Sequence, residues 1–198
     1  PGKPTDGWNQ IMSLPRRLTV TGDKIHIEPA GDLESLRNAP QIIEDIALNA
    51  NEEVVANEIR GNALELQLRI EPGDAPMVEV NVLRSPGREE YTRIAFFRNR
   101  GYRGESLITI DTSYASTAAD VVSRAPETAP ISLEPDEPLD LRIFLDKSVV
   151  EVFANGKQCV AVRVYPDRDD SQTISFKSQG VASQISSLTC WEMKSIWT

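Results

Sequence analysis

The strongest constraint on how this chain folds is an alternation of apolar and polar residues with a period of two. In residues 62–71, the apolar side chains Leu64, Leu66, Leu68 and Ile70 alternate with charged or amide side chains. Successive side chains of a β-strand point to opposite faces, so this segment predicts a strand with one buried face. The alternation recurs in two further segments, residues 77–83 and 139–145.

Turn-forming residues separate the predicted strands. The strongest of these signals is Asn155-Gly156, because both residues readily take the positive φ angles of a type I′ turn. We therefore expect residues 148–164 to form a hairpin around this pair. Segments rich in β-branched and aromatic residues predict additional strands at 25–27, 91–97, 107–110, 173–176 and 187–193.

Short strands with antiparallel alternation predict an all-β fold, an antiparallel β-sandwich of two packed sheets of the jelly-roll or concanavalin-like kind. A chain of 198 residues is long enough to build one such core. We expect little helix. Residues 31–37 predict one or two helical turns that begin at an acidic cap and end before Pro40, and residues 111–123 predict a surface loop.

Charge and composition narrow the range of partners. The chain has 30 acidic and 21 basic residues and a formal net charge of −9, so nucleic acid and anionic membrane are poor candidates. No apolar run approaches the roughly 18 residues that a transmembrane helix needs. One histidine and two cysteines do not supply a zinc site, and we predict no metal and no cofactor. Cys159 and Cys190 form either one disulfide or, in the interpretation that we favour, two buried free thiols.

The first 20 residues differ from the rest of the chain. Trp8, Ile11, Met12 and Leu14 lie close together in a segment flanked by Gly and Pro, with little chain before it to pack against. We expect this segment to be the end of another structural unit.

Acidic residues are abundant, so catalysis by a pair of carboxyl groups is the kind of enzymatic activity to consider. A glycosidase needs two carboxyl groups about 5 to 9.5 Å apart, and Asp146 and Glu151 are the candidate pair. In a continuous strand their odd spacing places them on opposite faces. If residues 146–148 form a tight turn, Glu151 pairs toward Ile143 and again points elsewhere. We expect structural roles for both and predict no catalytic residue in this chain.

Other polar and aromatic residues have simple structural interpretations. His26 alternates with Ile25 and Ile27, so we expect a solvated histidine on a strand. The acidic turn at 167–170 lacks the rest of a calcium-binding loop. A sugar-binding module needs exposed aromatic rings, but aromatic residues make up only 6% of the chain, and Trp191 lies in a predicted core strand.

Residues 141–156 resemble a known family signature. They form a predicted strand followed by Asp146-Lys-Ser-Val-Val-Glu151-Val-Phe153 and then Asn155-Gly156. This order is similar to the Asp-x-Ser-x-x-Glu-x-Phe and Asn/Asp-Gly signature in the C-terminal β-sandwich of glycoside hydrolase family 32, the invertases, inulinases and levanases. Three more segments resemble the family in the same order, residues 14–20, 28–37 and 110–113. The sequence departs from the family pattern at Glu28, Ala30 and Thr112.

The resemblance implies two parts, with residues 1–38 as the closing strand of a propeller blade plus a linker and residues 39–198 as the C-terminal β-sandwich. In this family, a five-bladed β-propeller precedes the sandwich and carries the catalytic Asp and Glu motifs, none of which occurs in this sequence. The chain alone is therefore not expected to be an enzyme. The parent protein is expected to be a retaining β-fructosidase that acts on sucrose or fructans.

The resemblance implies that the chain is a non-catalytic module that stabilises the propeller of the same protein. The expected propeller interface consists of Trp8, Ile11, Met12, Leu14, Pro15 and Arg16. Two alternatives stay open, an independent fructan-binding module and the second chain of a cleaved fructosidase or fructosyltransferase. Sucrose or fructan at the cleft rim and a second copy of the chain are further candidate partners. The lack of an Asn-x-Ser/Thr site favours a bacterial protein, either secreted or cytoplasmic.

Overall fold

The computed structural model of the protein describes residues 10–122 and 124–196. This part of the chain contains one short 3-10 helix, Glu34–Leu36, and no helix that is long and apolar enough to cross a membrane. Its strands are β1 Arg16–Thr21, β2 Lys24–Pro29, β3 Gln41–Leu48, β4 Glu53–Ala56, β5 Ala63–Glu71, β6 Met77–Arg84, β7 Thr92–Phe97, β8 Ser106–Asp111, β9 Glu127–Ile131, β10 Leu139–Asp146, β11 Val149–Ala154, β12 Gln158–Arg163, β13 Thr173–Gln179 and β14 Ser183–Glu192.

The strands form two six-stranded antiparallel sheets that pack against each other. Sheet I has the order β12-β11-β10-β5-β14-β3, and sheet II has the order β4-β13-β6-β7-β8-β9. Strands β1 and β2 form a separate antiparallel pair, which we call the N-terminal hairpin. The prediction of an all-β sandwich with little helix is confirmed.

The core lies between the inward faces of the two sheets. Leu64, Leu66, Leu68 and Ile70 of β5 are all buried there, as are the alternate valines of β6. Each fully buried aliphatic side chain stabilises the fold by about 1.5 to 3 kcal/mol. The alternation seen in the sequence therefore marks the residues that hold the sheets together.

The hairpin around Asn155-Gly156 forms as predicted. Asn155 and Gly156 take φ angles of 51° and 61°, and β11 pairs with β12 on either side of the turn. The Asn155 side chain accepts a hydrogen bond from the Asp140 amide at 3.1 Å and donates one to the Pro138 carbonyl at 2.8 Å. The turn is thus tied to the start of β10.

Apart from β1, which only the family resemblance indicated, the sequence pattern missed three strands, each at the edge of a six-stranded sheet. In β3 the alternation is interrupted, because the chain takes a φ of 54° at Asp45 opposite an irregularity in β14. Strand β4 is only four residues long. Strand β9 contains Pro130, which has no N–H to donate, and an edge strand tolerates a proline because no hydrogen bond is needed on its open side. The predicted helical turns reduce to Glu34–Leu36, where the Ser35 amide donates to the Asp32 carboxylate at 3.3 Å.

The cysteines and Trp191 lie on sheet I. Cys190 is buried in the core, while Cys159 is half-buried on the outer face, and both are free thiols because the sheet separates them. Trp191 was expected in the core. It lies instead on the outer face, half-buried, with the Arg37 guanidinium 4.1 Å from its ring centroid.

Replacing Leu66 with Asp should unfold the sandwich. An unpaired carboxylate in the core costs several kcal/mol, which is a large part of a total stability of about 5 to 15 kcal/mol. Ile42→Asp is the matched control, because Ile42 is 62% exposed on β3 of the same sheet. Thermal melts followed by circular dichroism should show loss of the folded state for Leu66→Asp and a small shift for the control. A folded Leu66→Asp variant with a near-normal melting temperature would contradict this assignment of the core.

Candidate functional site

The N-terminal hairpin presents an apolar face that is largely exposed in the described chain. Leu18 lies opposite Ile27 and Val20 lies opposite Ile25, so all four side chains belong to one face of the pair. Leu18, Val20 and Ile25 are 65%, 71% and 57% exposed. Soluble proteins rarely leave such a contiguous apolar patch open unless it binds something.

The opposite side of the hairpin is held on the outer face of sheet I. The Ile27 amide donates to the Gly156 carbonyl at 2.7 Å, which joins β2 to the turn between β11 and β12. Ahead of β1, the Leu14 amide donates to Glu151 Oε1 at 2.7 Å, and the Arg16 guanidinium lies 3.6 Å from Glu151 Oε2. Glu151 is only 2% exposed. A buried carboxylate of the sandwich therefore anchors the chain that enters the hairpin.

The structure corrects the expected placement of Asp146 and Glu151. Residues 147 and 148 form a tight turn, and Glu151 lies opposite Phe144 rather than Ile143. This register puts both carboxylates on the outer face of sheet I. Glu151 is buried and bound to Leu14, whereas Asp146 is exposed. Although the two side chains share a face, their surroundings differ, because the Glu151 carboxylate already accepts a hydrogen bond from the Leu14 amide of the same chain.

The residues expected at the propeller interface divide into two groups. Leu14 and Arg16 contact Glu151, while Ile11, Met12 and Pro15 are exposed, with Met12 93% accessible. Trp8 lies outside the described residues. Leu18, Val20 and Ile25 were not among the residues expected at this surface. Alternation on both sides of the Gly22-Asp23 turn was the signal that could have found them.

A polar groove of about 590 Å³ lies between the hairpin and the outer face of sheet I. His26 lines it from the hairpin, and Gln67, Arg69 and Asp140 line it from the sheet. Burial raises the pKa of Asp140, and the nearby Arg69 only partly offsets this effect. Phe153, the one phenyl ring among its lining residues, is itself buried, so the groove offers no exposed ring on which a sugar could stack.

A second buried carboxylate fixes the linker that follows the hairpin. Glu65 of β5 is fully buried and accepts hydrogen bonds from Arg37 at 2.7 and 2.9 Å and from Arg142 at 2.7 Å. Burial alone would raise the pKa of Glu65, but the bonds from Arg37 and Arg142 outweigh it and bring the pKa below its usual 4.5. Glu65 thereby ties Arg37, just after the 3-10 helix, to the middle of sheet I.

Other acidic residues of the chain also have structural roles. Glu90 is buried and accepts hydrogen bonds from the Thr117 and Asp167 amides at 2.7 and 2.9 Å and from the Ser171 hydroxyl at 2.7 Å. The acidic turn at 167–170 is therefore held from inside by Glu90. In residues 10–122 and 124–196, no three His, Cys, Asp or Glu side chains are grouped so that they could hold a metal ion.

Comparisons with known proteins agree on one family. The family described as "Glycosyl hydrolases family 32 C terminal" matches residues 32–192. The levanase of Bacillus subtilis is 28% identical over 98% of this chain, and a sucrose-6-phosphate hydrolase of Zymomonas mobilis is 25% identical over 89% of it. The chain spans only 29% and 33% of the lengths of these two relatives.

The fold also matches solved structures. The fructan 1-exohydrolase IIa of Cichorium intybus superposes with a TM-score of 0.81 and 19% identity, over 92% of this chain and 41% of that one. The exo-inulinase of Aspergillus awamori superposes with a TM-score of 0.77 and 18% identity, over 98% and 38%. At these identities the likeness concerns the fold.

Glu65→Gln should weaken the fold in a pH-dependent way. Because the pKa of Glu65 is lower in the folded chain than the usual 4.5, its ionised form stabilises the fold above about pH 4.5, and this contribution is lost as the pH falls through the folded pKa. Urea unfolding at pH 7 should show a loss of about 3 to 5 kcal/mol in the free energy of unfolding. The loss should shrink steadily toward pH 3. Glu44→Gln, at an exposed position of β3, is the control; a pH-independent loss for Glu65→Gln would contradict the assignment.

Proposed function

Since this chain belongs to the glycosyl hydrolase family 32 C-terminal domains, we propose that it is the non-catalytic β-sandwich of a β-fructosidase and that it stabilises a catalytic β-propeller in the same polypeptide. The parent enzyme hydrolyses sucrose or fructans. This substrate class is the one that the names of the relatives carry, a levanase and a sucrose-6-phosphate hydrolase.

The observation that carries this proposal is the two-sided N-terminal hairpin. One side is fixed to the sandwich at Glu151 and Gly156, and the other side leaves Leu18, Val20 and Ile25 exposed. An exposed apolar surface of this kind marks a site at which a partner binds. We assign the partner as the propeller, because the relatives are about three times as long as this chain and the hairpin lies ahead of the matched residues 32–192.

In this arrangement, residues 1–38 are a propeller strand plus linker and residues 39–198 are the sandwich proper. The hairpin belongs structurally to the propeller, and Glu65 and Glu151 hold it and the linker on sheet I. Burying the hairpin's apolar face against the propeller stabilises the folded protein by about 25 cal/mol for each Å² of apolar surface removed from water. The sandwich stabilises the catalytic domain in this way without contributing a reacting group.

A charge on the apolar face tests this function. In a polypeptide in which this chain follows its catalytic domain, Val20→Asp should lower the temperature at which fructose release is lost by at least several degrees, because the carboxylate becomes buried at the interface without a partner. In the isolated chain the same change should leave the melting temperature nearly unchanged, since Val20 is exposed there.

Val181→Asp is the matched control for that experiment. Val181 is 46% exposed on the sandwich, beyond β13, and the substitution makes the same chemical change away from the hairpin. It should leave the inactivation temperature unchanged. Equal behaviour of Val20→Asp and Val181→Asp in the larger polypeptide would contradict the proposed interface.

A further inference from the structure

Glu151 is a buried acid whose carboxylate is bound by a chain segment 137 residues away. Its Oε1 accepts the Leu14 amide at 2.7 Å, and its Oε2 faces Arg16 at 3.6 Å. Oε2 has no hydrogen-bond partner within the described chain, so the carboxylate depends on the approach of Arg16 for compensation of its charge. An acid buried in this way is costly unless the segment containing Leu14 and Arg16 stays in place.

We propose that Glu151 is a positioning residue that sets the orientation of the N-terminal hairpin, and through it of the catalytic domain, on the sandwich. This inference rests on the proposed function, since it assigns to one side chain the coupling between the two domains. It also gives a role to Glu151 of the Asp146-x-Ser148-x-x-Glu151 motif, because the proposed function assigns no reacting group to this chain.

The residues around the contact suit this role. Pro15 follows Leu14, and a proline restricts both its own φ angle and the backbone of the residue before it to extended conformations. The Leu14 amide therefore reaches Glu151 from a nearly fixed direction. One residue after Pro15, Arg16 begins β1, so the strand starts directly at the anchor. A hydrogen bond to an ionised acceptor is about twice as strong as a neutral one, which favours a carboxylate at this point.

The chain contains its own reporter for this contact. Cys159 of β12 is half-buried on the same outer face of sheet I, and the charges of Arg16 and Glu151 both act on its thiol. Burial raises the pKa of Cys159 to about 11 and that of Cys190 to about 12. Cys190 lies in the core, so it reports global unfolding, whereas Cys159 reports release of the segment beside it.

The first test uses the chain itself, with Glu151→Ala, Glu151→Gln and the control Asp146→Ala. Asp146 is an exposed acid of the same motif. In Glu151→Ala, hydrogen exchange at the Leu14 amide should accelerate about tenfold, because a hydrogen bond to a charged group is lost. Alkylation of Cys159 by iodoacetamide should accelerate more than in Glu151→Gln, which removes the same charge beside the thiol. Glu151→Gln keeps an acceptor oxygen and should show a smaller change. Asp146→Ala should match the wild type.

The protection of Cys190 separates this effect from unfolding. If Cys190 stays protected and the Leu14 amide does not exchange faster in Glu151→Ala, the proposal is overturned. If Glu151→Ala also exposes Cys190, Glu151→Gln decides. Acceleration at Leu14 with Cys190 protected supports the anchor, and wild-type exchange at Leu14 overturns it.

The second test places the same variants in the polypeptide that includes the catalytic domain. Glu151→Ala should lower the temperature of inactivation while KM for sucrose, measured below that temperature, stays within twofold of the wild type. If Val20→Asp lowers this temperature and Glu151→Ala does not, the coupling role of Glu151 is wrong and the proposed function stands. If neither variant lowers it, the proposed function itself is wrong.

Discussion

Both faces of sheet I must be covered, and most of the structure follows from that requirement. The inner face is apolar and packs on sheet II, with Leu66 and Ile143 at its centre. The outer face carries two buried acids, Glu65 and Glu151, which would destabilise the fold if they were left without partners. Each acid is bound by a segment from the first 40 residues, Glu65 by the linker residue Arg37 together with Arg142 of β10, and Glu151 by the amide of Leu14. The N-terminal segment is therefore held on the sandwich, although it lies outside the two sheets.

The alternation pattern predicts the central strands better than the edge strands, for a physical reason. Central strands bury one full face, so their side chains alternate strictly, as Leu64 to Ile70 do. Edge strands such as β3 bury less, and the irregular backbone at Asp45 breaks the pattern. Asn155-Gly156 located its hairpin because the turn depends on local backbone preference. The contact between Glu151 and Leu14 spans 137 residues, and no local pattern marks such a pair.

Part of the candidate site could be predicted from the sequence and part could not. The apolar cluster near Ile11 and Met12 indicated a segment that packs elsewhere, and the structure leaves both side chains exposed. The pairing of β1 with β2, which places Leu18 beside Ile27 and Val20 beside Ile25, adds the larger apolar face. In the proposed function this face is the interior of a larger protein, and Glu151 fixes its direction relative to the sandwich. The buried acids Glu65, Glu90 and Glu151 each bind another segment of the chain.

Fructose release by the purified 198-residue chain, alone and joined to its catalytic domain, tests the central claim most directly. With sucrose, inulin and levan as substrates, the account predicts no release by the chain alone and release at an enzymatic rate by the joined polypeptide. Release at an enzymatic rate by the isolated chain, in a preparation free of contaminating enzyme, would contradict it. Asp146 and Glu151, which share the outer face of sheet I, would then be the first residues to replace.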